Sequence, residues 1–294
     1  MCPKSVSRRI KKAHGVAMRP DCVPCALRSA LDAVRQVSDD DWLASKVLRT
    51  VMADMPEVDP ERTPAEYSLE VLGNALKVAG CADPYKEERG RQNEAAKALL
   101  PVAEKALKRS KDRLQTAARL ALAGNCFDPI LGEYDPEAYV REALEGKPAR
   151  FDYDEFRQAA KAADSVLYLL DNCGEAVFDK LLVSELAGND RKVSVAVRHS
   201  PVLNDVTRQE AEELSFSEIA DIVDPGKPML GVIRSYASAR FRELFKSADM
   251  VVSKGQANYE TLAGAERDVF FFLQVKCQVV AKNLGLKPGD ACLA

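Results

Sequence analysis

Three short polar segments hold the side chains best suited to chemistry: Asp171-Asn172-Cys173-Gly174-Glu175, Arg198-His199-Ser200-Pro201-Val202-Leu203-Asn204-Asp205, and Lys254-Gly255-Gln256-Ala257-Asn258-Tyr259-Glu260. Carboxylates and amides in the first two are hard oxygen donors suited to Mg²⁺ or Mn²⁺. The third supplies a cation and glycine-freed backbone N–H groups suited to phosphate. Only His14 and His199 occur in the chain, so a three-histidine zinc site and an HExxH motif are out of reach, and a catalytic metal would be held by oxygen.

Each segment follows an apolar, β-branched run. SVLYLL (165–170), KVSVAVR (192–198), IADIVD (219–224), DMVVSK (249–254) and VFFFLQV (269–275) are the strand candidates, with amphipathic helical stretches such as Glu175 to Leu186 and Asp205 to Leu214 between them. That alternation implies right-handed crossovers and a mostly parallel sheet covered on both faces. In such sheets ligands bind beyond the carboxyl ends of the strands, which is where all three segments begin. Asp and Asn at these positions are also ordinary helix N-caps, and capping alone is the competing reading of any one loop.

The first half reads differently. From Cys22 to about Leu144, helix-favouring residues recur at 3.6-residue spacing, broken by Pro56, Pro60, Pro64 and Pro84, and Glu94 to Ala123 ends at a Gly124-Asn125 stop. The expected organisation is a disordered basic extension over 1–18, a helical domain over 19–150 and a Rossmann-like α/β domain over 151–294 carrying the site. The fold class is α/β, a helical half followed by an α/β half with a mostly parallel sheet.

Composition narrows the function. The 294 residues carry 42 Lys and Arg against 45 Asp and Glu, a net charge of −3, so no overall field holds the protein on nucleic acid. The longest apolar run, near Val269 to Leu273, is far short of the roughly 20 residues that cross a bilayer. The basic N-terminal residues lead into no apolar signal core, and eight scattered cysteines suggest reduced thiols, hence a cytoplasmic protein. No GxGxxG follows the first strand and no GxxxxGK[ST] occurs, which disfavours the familiar dinucleotide and NTP loops. Trp42 and Phe270-Phe271-Phe272 read as core, His199 as a pocket or exposed loop residue, and Cys81, Cys126 and Cys173 as core or pocket-wall thiols.

DCVPC (21–25), DPYKEERGRQN (83–93), AGNCFD (123–128), DNCGE (171–175), RHSPVLNDVT (198–207), SKGQANYE (253–260) and KC (276–277), in this order, closely resemble the metal-dependent damage-control phosphatases. The chain looks most like the small archaeal and bacterial branch with an N-terminal CxxC. The resemblance implies an N-terminal α-helical domain packed on a Rossmann-like αβα domain, and a divalent metal (Mn²⁺, Mg²⁺, Co²⁺ or Ni²⁺) on Asp171, Asn172 and Asp205, with Lys254 holding the substrate phosphate. It adds Asn125, Asp128, Glu175, Arg198, Asn204, Gly255 and Asn258 as substrate-binding or supporting residues. Cys22 and Cys25, joined by Cys277, are a candidate second, structural metal site, with buried unreactive thiols as the alternative. Asp224-Pro225-Gly226-Lys227-Pro228 stands where a glycine- and threonine-containing loop is usual in the family, so substrate preference transfers least.

The expected activity is hydrolysis of phosphomonoesters of small phosphorylated metabolites, sugar phosphates among them, damaged or surplus. The metal would polarise a phosphoryl oxygen and orient water, and Lys254 with the Gly255 backbone would neutralise equatorial oxygens. Asp171 as a covalent nucleophile is the alternative chemistry. A non-catalytic module binding a phosphorylated metabolite or nucleotide is the competing function, and a group transferase a weaker third. The oligomeric state is left open.

Overall fold

The alternating runs of the second half fold as parallel strands with helical crossovers. The structure, a computed structural model, describes residues 15–125, 135–188 and 191–294. These residues form β1 (Arg150–Phe151), β2 (Ser165–Leu169), β3 (Lys192–Ala196), β4 (Asp221–Val223), β5 (Met250–Lys254), β6 (Phe270–Gln274) and β7 (Ala291–Leu293). The sheet runs β1-β7-β6-β5-β2-β3-β4 and is parallel from β6 to β4, with β7 antiparallel to β6. All five expected strands are present. The two short strands at one end of the sheet, β1 and β7, escape the sequence reading because runs of two and three residues carry no periodicity.

The strand order fixes where a site can be. From β2 the chain moves outward to β3 and β4, then returns to place β5 on the other flank of β2. The crossover helices therefore leave to opposite faces at the β2–β5 boundary, opening a crevice at the carboxyl ends of those strands. Strand alternation buries both faces: Val166, Tyr168 and Val252 meet one layer of helices, and Leu167, Leu169 and Val251 meet the other.

Among the described residues six helices precede β1: α1 (Cys22–Val37), α2 (Asp41–Ala53), α3 (Pro64–Ala79), α4 (Lys86–Arg109), α5 (Arg113–Gly124) and α6 (Pro136–Glu145). Thr63 opens α3 with a capping box, its hydroxyl accepting from Glu66 N–H while the Glu66 carboxylate accepts from Thr63 N–H at 2.8 Å. The Glu94 to Ala123 stretch is two helices rather than one, because Asp112 accepts from Gln115 N–H at 3.0 Å and starts α5 afresh. Helices α1 to α3 pack around a core of their own. By contrast, α4 to α6 share one continuous core with β2, β3 and the helices α7 (Tyr153–Ala162) and α8 (Glu175–Leu186). At the α5–α8 crossing, a Cβ on Gly124 would lie 3.2 Å from the Phe178 ring and 3.4 Å from Glu175 Cα, so glycine permits this close packing.

On the opposite face lie α10 (Ala239–Ser247) and α11 (Gln256–Leu262), and beyond β6 comes α12 (Gln278–Leu284). The helix expected over Asp205 to Leu214 is shorter, α9 (Arg208–Glu213), because Asp205 and Val206 are held in an extended pairing described below. Trp42 corrects the sequence reading: it is 65% exposed on α2, off the buried stripe of Ala44, Val47 and Val51, with the Lys46 ammonium 5.4 Å from its ring. Phe272 is fully buried, and Phe270 packs edge-on to Phe156 with ring centres 5.4 Å apart. Among the described residues no helix is long and apolar enough to cross a membrane.

Candidate active site

Two backbone hydrogen bonds join the loops that follow β2 and β3. Cys173 N–H donates to Asn204 O and Val206 N–H to Asp171 O, both at 2.8 Å, so that Asn172 pairs with Asp205 as an isolated antiparallel bridge. This sets Asp171, Asn172 and Asp205 side by side at the carboxyl edge. Arg198 fills the gap between the two carboxylates: its Nε donates to Asp205 and its Nη2 to Asp171 at 3.3 Å, while Nη1 donates to Asn258 Oδ1 at 3.2 Å. Asn172 donates its Nδ2 to Asp171 Oδ2 at 2.8 Å, which leaves its Oδ1 as the third oxygen of the group.

The β5 loop closes in from the other side. Gly255 has φ +77°, and a Cβ built there would lie 1.7 Å from Asp171 Oδ2. Only glycine lets β5 turn into α11 against that carboxylate. The Gly255 N–H donates to Phe272 O at 2.9 Å and is thereby committed to the sheet, so the phosphate contact expected of it is replaced by a steric role.

Lys254 also departs from its expected role. It shares strand parity with Met250 and Val252, which turns its side chain under the sheet toward α5 and α8. There its three ammonium donors are fully used, on Ala121 O at 2.8 Å, Glu175 Oε1 at 3.1 Å and Asp179 Oδ1 at 2.5 Å, and the side chain is fully buried. Glu175 in turn accepts from Asn125 Nδ2, whose Oδ1 accepts from Gln274 N–H at 2.8 Å. Tyr168 donates to Asp179 Oδ1 at 2.8 Å, leaving Asp179 Oδ2 without a partner. Asn258 is a bracket between strands, its Nδ2 donating to Leu170 O at 3.2 Å and Lys254 O at 2.8 Å.

The electrostatics of the site are unbalanced. Four buried carboxylates (Asp171, Glu175, Asp179 and Asp205) face two buried cations, Arg198 and Lys254. Burial pushes the Asp171 carboxyl well above its usual range, and the charges of Asp205 and Glu175 push it further, against Arg198 and Lys276. Asp205 is also raised by burial, with Arg198 opposing. Asp179 is raised to about 7 by burial, with Lys254 opposing. The carboxyl groups outnumber the cations by two, and Asp171, Asp205 and the half-buried amide of Asn172 form a hard oxygen set that a divalent cation would fit in both charge and donor chemistry.

A model of the Damage-control phosphatase ARMT1-like domain matches residues 18–292. The chain belongs to that family. A damage-control phosphatase of Archaeoglobus fulgidus is 30% identical over 92% of this chain and 96% of its own length. An uncharacterized protein of Methanocaldococcus jannaschii is 30% identical over 97% of this chain and 98% of its own. The crystal structure of a DUF89 family protein from Pyrococcus horikoshii superposes with a TM-score of 0.85 at 26% identity, over 94% of this chain and 98% of that one.

In this damage-control phosphatase family member the loops are braced from α4, in residues whose roles the sequence did not disclose. Asn93 Oδ1 accepts from Gly174 N–H at 2.7 Å, and Gln92 Oε1 accepts from Asn204 Nδ2 at 2.9 Å. Arg89 binds Asp83 through both terminal nitrogens, donates its Nε to Glu210 at 2.7 Å, and reaches Leu203 O at 3.3 Å. Leu203 itself has φ +48°, a backbone strain held by these contacts. Asn204 is thus a loop brace. The sequence signal for Asp179 was an acidic pair at i and i+4, Glu175 and Asp179, at the start of α8.

The remaining candidates lie apart. Asp128 and Cys126 are outside the described residues. His199 is on the loop surface, its Nδ1 2.9 Å from Asp224 Oδ1. Cys22 is buried and Cys25 exposed on the first turn of α1, and Cys277 precedes α12, where it accepts from Gln256 Nε2 at 3.6 Å. Burial raises the Cys22 and Cys25 thiols, with smaller contributions from Cys277 and Glu260. Among the described residues no three His, Cys, Asp or Glu side chains converge as a ready-made metal site, the cysteines included.

Proposed function

We propose that the protein is a metal-dependent phosphatase that hydrolyses phosphomonoesters of small metabolites, sugar phosphates among them. The observation that carries this reading is the pairing of the β2 and β3 loops, which brings Asp171, Asn172 and Asp205 together at the switch point of the sheet. A divalent cation such as Mn²⁺, Mg²⁺, Co²⁺ or Ni²⁺ on these oxygens would polarise a phosphoryl oxygen and lower the pKa of water.

The chain's own residues do the positioning. Arg198 holds both carboxylates through separate donors and offsets part of their mutual repulsion. Asn172, half-buried beside two buried acids, is the member of the set that faces incoming ligand. Gly255 lets the Asp171 carboxylate sit where a side chain at 255 would collide with it. Little covalent work is asked of the protein, since phosphoryl transfer depends mainly on placement and charge compensation.

The test is turnover of p-nitrophenyl phosphate and a panel of sugar phosphates by metal-stripped protein, with each divalent ion restored in turn, beside Asp171→Ala. Activity that requires metal and disappears in the variant is the expected result. Metal-loaded protein that binds phosphorylated metabolites and turns over none of them would replace the enzyme by a binding module.

A further inference from the structure

Two cysteines stand one helical turn apart. Cys22 and Cys25 are the first and fourth residues of α1, in the run Cys22-Val23-Pro24-Cys25. Cys22 is buried in the core of α1 to α3, and Cys25 is exposed beside it. Cys277, just before α12, borders a different core, and Val279 packs against both, which sets this third thiol across the contact of α1 with α12.

Helix geometry suits a bond between the first two. Residues three apart on a helix have Cβ atoms about 5–6 Å apart, and a disulfide asks for about 3.5–4.5 Å. The first turn can close that gap. The chain enters α1 through two tight bonds that each span three residues, Cys22 N–H to Arg19 O at 2.9 Å and Val23 N–H to Pro20 O at 3.1 Å. Carried one turn further, this winding eclipses positions i and i+3, here Cys22 and Cys25. Pro24 has no N–H to lose in the change, and among the described residues the Asp21 side chain caps no N–H that would hold the turn open. Cys277 is engaged elsewhere, its sulfur accepting from Gln256 Nε2 at 3.6 Å.

The surroundings favour the oxidised pair. Burial raises both thiols. At Cys22 the charges of Glu260, Cys277 and Cys25 add to the effect against a backbone hydrogen bond at Arg19, and at Cys25 those of Cys277, Glu260 and Asp32 add to it. A dithiol that stabilises its thiolate is a strong oxidant as a disulfide; here the thiolate is disfavoured, so the disulfide is correspondingly hard to reduce.

We infer that Cys22 and Cys25 form a reversible disulfide, a redox-modification site on the first turn of α1 that exchanges with low-molecular-weight disulfides such as glutathione disulfide. Exposed Cys25, as thiolate, attacks one glutathione sulfur; the glutathione S–S bond breaks, a mixed disulfide forms, and one glutathione leaves and takes up a proton. Cys22 releases its proton, attacks the Cys25 sulfur and expels the second glutathione. Two protein thiols and one glutathione disulfide thus become one protein disulfide and two glutathione thiols, with two electrons passing to glutathione. In a reducing compartment such a pair is a transient, redox-sensing bond.

The experiment incubates the reduced, desalted full chain with glutathione disulfide, alkylates the remaining thiols under denaturing conditions and maps tryptic peptides by mass, beside Cys25→Ser and Cys277→Ser. Residues 13–28 form one peptide, which holds Cys22 and Cys25 and no other cysteine. In wild type this peptide should be lighter by two hydrogens, unalkylated and free of glutathione, and dithiothreitol should restore both thiols. Cys277→Ser should give the same product. Cys25→Ser, at an exposed position that folding tolerates, should leave Cys22 open to alkylation. Peptide 13–28 alkylated at both cysteines in wild type overturns the inference. So does a disulfide from this peptide to Cys277 that is lost in Cys277→Ser, or a metal ion held one per chain by the reduced thiols that keeps them from pairing.

Discussion

The site holds two clusters of the same composition, each with two carboxylates and one cation, and they do different work. Asp171, Asp205 and Arg198 sit where two loops meet at the sheet edge, with half-buried Asn172 beside them. Glu175, Asp179 and Lys254 are sealed between the sheet and helices α5 and α8, with side-chain exposures of 2%, 0% and 0%. Each cluster is one positive charge short. At the edge the deficit can be met by an ion from solvent. In the interior no ion can enter, so the deficit is carried by an unpartnered Asp179 oxygen and a carboxyl raised to about 7 by burial. Position relative to the loops, and not residue type, separates the cluster at the sheet edge from the one sealed in the interior.

The largest effect expected from this contrast is on folding. Lys254→Met leaves Glu175 and Asp179 buried without a cation and should cost about 3–5 kcal/mol, the range for breaking a buried ion pair from one side. Chemical denaturation measures it, and adding Asp179→Leu to Lys254→Met should recover much of the loss. A Lys254→Met protein as stable as wild type would dissolve the distinction between the clusters. Next comes Gly255→Ala. Its Cβ would collide with Asp171 Oδ2, on a backbone at φ +77°, so a loss of about 2–4 kcal/mol and of most metal-dependent turnover is expected. Metal addition should then act on the edge cluster alone. At a hundredfold excess over its Kd, a divalent ion should stabilise wild type by about 2.7 kcal/mol in thermal melts and Asp171→Ala hardly at all.

How much of this was legible in the sequence depends on what each residue does. The five expected strands announced themselves as short apolar, β-branched runs, and the loops after them because polar residues follow at once. Asp171, Asn172 and Asp205 could be found from their place at strand ends. Lys254 stands at an equally telling place, yet its direction depends on strand parity and on what α5 offers beneath it, Ala121 O, from a helix more than a hundred residues away in sequence. The bracing by Arg89, Gln92 and Asn93 was hidden for the same reason. Their stretch, 83–93, stands out in the sequence only as part of the family resemblance, and its role emerges where the tertiary fold sets it against Gly174, Leu203 and Asn204. Trp42 fails in the opposite sense, since size argues for burial while helix phase decides against it.

The smallest effect concerns a carboxylate outside both clusters and separates their titration from that of the rest of the protein. Burial raises the Glu260 carboxyl to about 7, with Gln256 and Lys276 opposing. In the unfolded chain it ionises near its ordinary value of about 4.3. Between these two values the native state holds a proton that the unfolded state has released, so stability is fully present below the lower value and falls as pH rises toward the upper one. Glu260→Gln removes that dependence. In metal-free protein its stability should fall less steeply from about pH 5 to 7.5 than that of wild type, by on the order of 1–3 kcal/mol across the window. Asp171, Asp179 and Asp205 share the sign, so some slope persists in the variant, and saturating metal should flatten the part owed to Asp171 and Asp205 by holding them ionised. A slope untouched by Glu260→Gln but abolished by metal would place the whole pH dependence at the sheet edge.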